Sequence, residues 1–295
     1  MSEIRKVGVL GCGLMGSGIA QVAAVAGFEV IARDLHQEEI ARGRRMVEQS
    51  LAKFVEKGKL AAPAREAALD RLRFTTSLED LAGADLIIEA VTEDLELKNR
   101  QWTALDPICR PETIFASNTS SLSIMAMAAV TGRPERFLGL HFFNPVPLMP
   151  LVEVVRTVSS SREVLAMGTD FVRRLGKEPV AAKDTAGFIV NLLLIPYLLD
   201  AVRAVERGVA SVTDIDTGMK LGCGHPMGPL TLLDFVGLDT ACKVGEILYD
   251  EFREARYAPP PLLKRMVMAG WFGKKNGKGF YDWSVTPAVP TELGL

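Results

Sequence analysis

Over roughly the first 180 positions, short apolar runs alternate with longer stretches in which apolar residues recur every three or four places. The short runs predict strands at residues 6–10, 28–32, 85–91, 113–116, 137–143, 151–156 and 178–182. Between them lie helical patterns. One carries Ile19, Val22, Ala23 and Ala26 to a C-cap at Gly27, and a long, strongly charged one covers residues 37–59. Another begins at Pro63, one spans 94–109, and one spans 161–175 between caps at Ser161 and Gly176. Ser77 with Asp80 behind it reads as the cap of a further short helix. After residues 183–187 the strand signals stop. Helices are expected at 188–206, 214–221, 230–235, 240–252 and 261–269, with a Gly/Pro-rich turn at 222–229 and a glycine-rich basic tail at 273–281. Alternation followed by helices alone predicts an α/β domain over residues 1–184 and an all-α domain over 185–295. The α/β domain is of Rossmann type, with residues 37–59 as a helical insertion arm.

Length agrees with two domains, since 295 residues exceed what one core usually serves. A net charge of -2 argues against nucleic acid or an anionic membrane as the main partner. Cys12, Cys109, Cys223 and Cys242 lie far apart with no CxxC spacing, which offers neither a disulfide framework nor a metal site. That usage suits a reducing compartment. The first strand follows Met1 so closely that no targeting peptide is expected, and the reading is cytoplasmic. The apolar run at residues 187–199 is too short to span a membrane and contains Asn191 and Pro196, so it reads as a buried helix.

The first strand enters Gly11-Cys12-Gly13-Leu14-Met15-Gly16, and a helix follows. A lone GxGxxG is weak, but here an acidic residue, Asp34, ends the next strand eighteen residues after Gly16. That is the dinucleotide fingerprint in its required setting: backbone N–H groups of Gly11 to Gly16 approach a pyrophosphate, and the aspartate accepts from a ribose 2′-hydroxyl. Arg33 beside Asp34 leaves some tolerance for a 2′-phosphate. In open α/β sheets ligands lie outside the carboxyl ends of the strands, where Glu93 and Lys98 follow one end and Asn118 and Ser120 another.

The stretch FLGLHFFNPVPLMPLVEVVR holds two strand signals around Pro145, Pro147 and Pro150. If the strands pair antiparallel about Pro147, facing residues sum to twice 147, and His141 then faces Glu153. A carboxylate on an imidazole fixes its tautomer and supports a proton-accepting role. The plain alternative is a satisfied core histidine beside a rim carboxylate. His225, in the Gly/Pro-rich turn, reads as structural, and His36 as exposed beside the nucleotide site. The charged arm carries Arg42, Arg44, Arg45, Lys53, Lys57 and Lys59 against Glu48 and Glu56, by itself more simply a solvated helix face than a basic arm for an anionic substrate group.

The words GCGLMGSGIAQ, FASNTSSLSI, LGLHFFNPVPLMPLVEVV, DTAGFIVNLLLIPYL, GHPMGPLTLLDFVGLDT and FGKKNGKGFYDW occur in that order. Through them the whole chain resembles the 3-hydroxyacyl-CoA dehydrogenase family. The resemblance implies NAD as oxidant, a CoA-thioester substrate, reversible oxidation of an (S)-3-hydroxyacyl-CoA to the 3-ketoacyl-CoA, and a homodimer built through the helical domain. It implies that His141 is the catalytic base and Glu153 its partner, with Ser120 and Asn191 holding the reacting oxygen and the active-site frame. Asp34, Glu93, Lys98, Asn118, Ser120 and Lys275 fall on cofactor contacts. Ser50, Lys57 and Ser120 fall on CoA contacts, which turns the arm from a solvated face into a binding element. Two other readings stay open: a dehydrogenase of a free hydroxy acid or sugar acid, and a structural relative without catalysis.

Overall fold

The computed structural model describes residues 3–294. The chain divides into two compact units, Met1–Phe188 and Ile189–Leu295. Residues 185–188 therefore go with the first unit, where Phe188 is buried in the core.

In the first unit the elements run β1 (Lys6–Leu10), α1 (Leu14–Val25), β2 (Glu29–Arg33), α2 (Gln37–Glu56), α3 (Ala62–Asp70), β3 (Leu72–Thr75), β4 (Leu86–Glu89), α4 (Leu95–Leu105), β5 (Ile114–Ser117), α5 (Ile124–Ala128), β6 (Phe137–Phe142), β7 (Leu151–Arg156), α6 (Arg162–Arg174) and β8 (Glu178–Lys183). The sheet order is β3-β2-β1-β4-β5-β6-β7-β8. Every pairing is parallel except that of β6 with β7. The order reverses between β1 and β4, which opens a crevice at their carboxyl ends. Side chains alternate across the sheet as a period of two demands. Leu86, Ile88, Ile114 and Ala116 join one core with residues of α1, α2 and α6. Ile87 and Phe115 join the other with Trp102 of α4 and Met127 of α5. In that second core Trp102 meets Phe115 and Phe137 at 4.9 Å between centroids. Such ring pairs contribute about 0.5–1.5 kcal/mol each beyond their burial.

The β6–β7 register sets His141 opposite Glu153, the pairing expected from the proline loop. Other expectations need correction. The strand at 72–75 has no counterpart in the sequence pattern, because four residues, three half-buried and one exposed, give too brief an alternation; its pairing with β2 makes it a strand. Ser77 caps nothing: its hydroxyl donates to Glu79, Asp80 accepts from Thr75, and a single 3₁₀ turn, Glu79–Leu81, follows Leu78. The strand expected over 85–91 closes at Glu89, after which Ala90 and Val91 turn to line the crevice. Helix α5 also escapes the periodicity, being only five residues long.

The second unit holds α7 (Val190–Glu206), α8 (Val212–Cys223), α9 (Pro229–Val236), α10 (Leu238–Phe252) and α11 (Pro261–Met268), then a short pair, β9 (Tyr281–Asp282) and β10 (Val289–Pro290). Two buried carboxylates fasten its tail. Asp234 accepts from the N–H groups of Phe280 and Tyr281 and from the Trp283 indole. Asp216 accepts from Leu230 and Thr231 and from the Tyr281 hydroxyl. Burial pushes the Asp234 carboxyl above its ordinary value, against the three donors that favour its charge. His225 is exposed, with Nδ1 at 3.1 Å from the Tyr197 hydroxyl. Among the described residues no helix is long and apolar enough to cross a membrane.

Candidate active site

A cleft of about 300 Å³ lies at the reversal point of the sheet, lined by Gly11, Gly13, Asp34, Val91 and Gln101 among others. The glycines there do different work. Gly11 has φ +95, and a Cβ on it would lie 2.7 Å from the Ala90 carbonyl oxygen. A Cβ on Gly16 would lie 1.9 Å from the Gly11 oxygen, so only glycine lets the helix approach the turn. A Cβ on Gly13 would meet nothing within 4 Å and would project into open space. Gly13 also caps α1 without a side-chain bond, so the amides of Leu14 and Met15 begin the helix with no side chain spent on them. A turn, an open approach and a close packing contact, in that order, fit a dinucleotide whose pyrophosphate sits at a helix N-terminus. Asp34 is held ready by the loop itself: Oδ2 accepts from the Cys12 N–H at 2.7 Å and Oδ1 from the Leu35 N–H at 2.7 Å. Arg33 is partly committed elsewhere, Nε donating to the Thr76 carbonyl at 3.1 Å. His36 is exposed on the same cleft, as expected. Cys12 is buried, and burial foremost pushes its thiol up to about 12, so it does not act as a nucleophile at neutral pH.

Beneath the ends of β4 and β5 two carboxylates share one ammonium. Lys98 Nζ lies 2.6 Å from Glu89 Oε1 and 3.3 Å from Glu93 Oε2. Glu89 also accepts from the Val91 N–H and the Ser117 hydroxyl. Glu93 Oε1 accepts from the Thr119 hydroxyl at 2.6 Å, the Ser120 N–H at 3.0 Å and the Ser120 and Ser121 hydroxyls at 3.2 Å. Burial raises the Glu93 carboxyl, but Lys98, Thr119 and the Ser120 N–H outweigh it and hold the group below the usual range. Lys98, only 1% exposed, is committed to these two carboxylates and is not among the residues that line the cleft. Glu89, with no exposure at all, escapes sequence reading because a carboxylate at a strand end reads as an exposed rim residue.

His141 Nδ1 lies 2.6 Å from Glu153 Oε2, with His141 5% exposed and Glu153 fully buried. The Phe143 ring stands 4.5 Å and the Phe188 ring 5.6 Å from the imidazole, giving it apolar walls. Phe188 has φ +48, a costly conformation for an aromatic residue, held by its burial and by its N–H on the Thr185 carbonyl. Asn118 ties this strand to the β5 turn: its Oδ1 accepts from the Phe142 N–H at 2.8 Å. With Nδ1 on the carboxylate, Nε2 is the ring atom placed to exchange a proton with a ligand.

The arm forms a second pocket, of about 250 Å³, where Ser50, Lys53, Phe54, Lys57 and Lys59 meet Pro145, Pro147 and Leu148 of the loop between β6 and β7. The two arm residues expected from the sequence are therefore brought together, against the very loop that follows His141. Lys53 and Lys59 enter the sequence reading only as part of the arm's charge, and Phe54 not at all, although it lies one turn from Ser50. Two further glycines join these parts. A Cβ on Gly43 of α2 would lie 2.6 Å from the Cys12 carbonyl oxygen, and one on Gly18 of α1 would lie 2.8 Å from the Val146 Cβ. In the second unit, Asn191 stands in the first turn of α7, and Lys275 Nζ donates to Asp239 Oδ2 at 2.6 Å.

Comparison with known proteins agrees along nearly the whole chain. The family model for the 3-hydroxyacyl-CoA dehydrogenase NAD binding domain matches residues 6–185, and that for the C-terminal domain matches residues 187–283. A probable 3-hydroxybutyryl-CoA dehydrogenase of Deinococcus radiodurans is 49% identical over 94% of this chain and 100% of its own. The crystal structure of FadB2 from M. tuberculosis is similar with a TM-score of 0.94 at 49% identity, covering 95% of this chain and 99% of that one. The (S)-3-hydroxybutyryl-CoA dehydrogenase PaaH1 from Ralstonia eutropha gives a TM-score of 0.92 at 44% identity, covering 96% and 100%.

Proposed function

The chain belongs to the 3-hydroxyacyl-CoA dehydrogenase family, and from that premise we propose that it oxidises short (S)-3-hydroxyacyl-CoA thioesters, 3-hydroxybutyryl-CoA foremost, reversibly to the 3-ketoacyl-CoA with NAD. The observation that carries the reading is the His141–Glu153 pair at 2.6 Å, on a hairpin whose loop walls the arm pocket. NAD, when bound, would supply the acceptor for the C3 hydrogen and its electron pair. His141 Nε2 takes the hydroxyl proton, so that the C3–O bond is left as the carbonyl. An alcohol proton does not leave unaided near neutral pH, and a positioned base contributes about 10²–10⁴-fold. Glu153 holds the imidazole in the right tautomer and stabilises the imidazolium that forms. In the reverse direction the imidazolium returns the proton to the oxygen. Gly11, Gly13, Leu14, Met15 and Gly16 hold the pyrophosphate, Asp34 the ribose, and Glu93, Lys98, Asn118 and Ser120 shape the nicotinamide end. Ser120 positions the reacting oxygen, and Ser50 and Lys57 hold the CoA.

The decisive experiment is NADH oxidation with acetoacetyl-CoA, run beside free acetoacetate and beside NADPH. Turnover of the thioester with NADH is expected. Equal turnover of the free acid would replace this reading with a hydroxy-acid dehydrogenase, and no turnover of either would favour a non-catalytic relative. The protein acts as a homodimer joined through its second unit, which leaves Leu193, Val209, Leu221 and Met268 at 63, 70, 80 and 79% exposed. Its four unpaired cysteines suit a reducing, cytoplasmic setting. Recovery of the activity from a secreted fraction would overturn that placement.

A further inference from the structure

The loop at residues 143–150 cannot satisfy its own backbone. Pro145, Pro147 and Pro150 carry no N–H, so the loop has more acceptors than donors. Pro145 O accepts from the Leu148 and Met149 N–H groups, and Pro150 O accepts from the Glu178 N–H. The carbonyls of Val146 and Met149 both accept from Lys177 Nζ, each at 2.6 Å. Lys177 lies between α6 and β8 and is 9% exposed. Burial pushes its ammonium below the ordinary value, and among the described residues no carboxylate offsets this.

Packing alone does not hold the loop. Beside it lies a cavity of about 430 Å³, lined by Gln21, Val22, Phe54, Leu148 and Lys177 among others. An apolar side chain at 177 would suit that cavity without the cost of a buried charge. The cation serves the two carbonyls instead. The loop also sets Pro145, Pro147 and Leu148 against Ser50 and Lys57, and its two ends run into the strands bearing His141 and Glu153.

Resting on the dehydrogenase reading above, we propose that Lys177 is a positioning residue: its ammonium clamps the 143–150 loop, so that the CoA-arm pocket and the His141–Glu153 pair keep their places together. Lys177 touches neither the reacting atoms nor the dinucleotide cleft, so its loss acts on the thioester and leaves the cofactor alone.

Lys177→Met keeps the length of the side chain and removes the donors. Wild type is assayed first with acetoacetyl-CoA and NADH; an inactive wild type overturns the dehydrogenase reading and the clamp with it. With wild type active, the variant is expected to show KM for acetoacetyl-CoA raised about tenfold and kcat lowered about tenfold or more, since small misplacements of a reacting pair are costly. Its KM for NADH should stay within about twofold of wild type, because that site is built from other elements. Lys177→Arg, which restores charge and donors, is expected to recover most of the loss. Should Lys177→Met fail to give a cooperative melting curve, Lys177→Gln, which keeps one donor group, takes its place with an intermediate loss expected. A kcat lowered only in proportion to the folded fraction, with the thioester KM unchanged, overturns the clamp. So does a folded Lys177→Arg no better than the uncharged variants.

Discussion

At the scale of single residues, the pair proposed to do the chemistry is set by counting. Antiparallel strands around a loop centred on Pro147 give each residue on β6 one opposite number on β7, and a one-residue slip would turn Glu153 to the other face of the sheet. Glu153→Gln keeps the shape and removes the charge that stabilises the imidazolium. It is expected to lower kcat with acetoacetyl-CoA by about a hundredfold or more while leaving NADH affinity unchanged, the cost of losing a properly held base. Steady-state rates beside a fluorescence titration with NADH check both halves. A variant with wild-type kcat would mean the two side chains do not act as a pair. The spacing makes His141, Glu153, Asp34 and the glycines legible, since each sits where a strand must end or pair. Glu89 and Lys177 are not legible. Each looks like a surface charge in its own segment, and each is engaged by an element distant in the chain: Glu89 beside Ser117 of β5, Lys177 beneath the proline loop.

Among the elements, the arm is the one whose sequence and role diverge most. Its charge pattern suggests a solvated face, and much of α2 is exposed. The arm pocket draws on the edge near its C-terminus, where Ser50, Phe54 and Lys57 meet the proline loop. That edge is not readable from periodicity, because the loop that covers it lies some ninety residues further on. Lys57→Ala is expected to raise KM for acetoacetyl-CoA roughly two- to tenfold, with added salt narrowing the difference as for any exposed contact. A pantetheine thioester of the same acid, lacking the nucleotide and its phosphates, should barely distinguish variant from wild type. Equal loss on both substrates would assign Lys57 to the stability of α2 instead. The strand β3 eludes sequence reading for the opposite reason: it is too short to carry a pattern and exists because β2 offers it a ladder.

For the whole molecule, acid costs stability through the carboxylates whose charge the fold favours. Burial raises Glu93 but its donors and Lys98 win, and likewise Asp85, raised by burial, is held low by the Lys6 and Arg5 N–H groups and by Arg110. A carboxyl depressed in the folded state adds stability above its ordinary value, 4.5 for Glu93 and 3.8 for Asp85, and loses that contribution as pH falls through the folded value. Urea midpoints are therefore expected to drop on acidification below about 4.5, less steeply for Glu93→Gln. Parallel slopes for the two proteins would remove Glu93 from the account. Sedimentation equilibrium tests assembly: a dimer is expected, and Leu221→Glu, a charge placed on an 80% exposed apolar position, should shift it toward monomer. A monomeric wild type would sink the dimer proposal.

The glycine contacts at positions 18 and 43 also bear on how this protein can be re-engineered. The nucleotide loop touches the arm at Gly43, and the nucleotide helix touches the proline loop at Gly18, in both places too closely for a methyl group. A substitution at either glycine, unlike one at Lys177, therefore presses on the nucleotide side and the thioester side at once. A library that opens positions 18 and 43 while selecting for a new nicotinamide cofactor should return clones whose acyl-CoA selectivity has drifted as well, and screens that score only one of the two traits will accumulate hidden losses in the other.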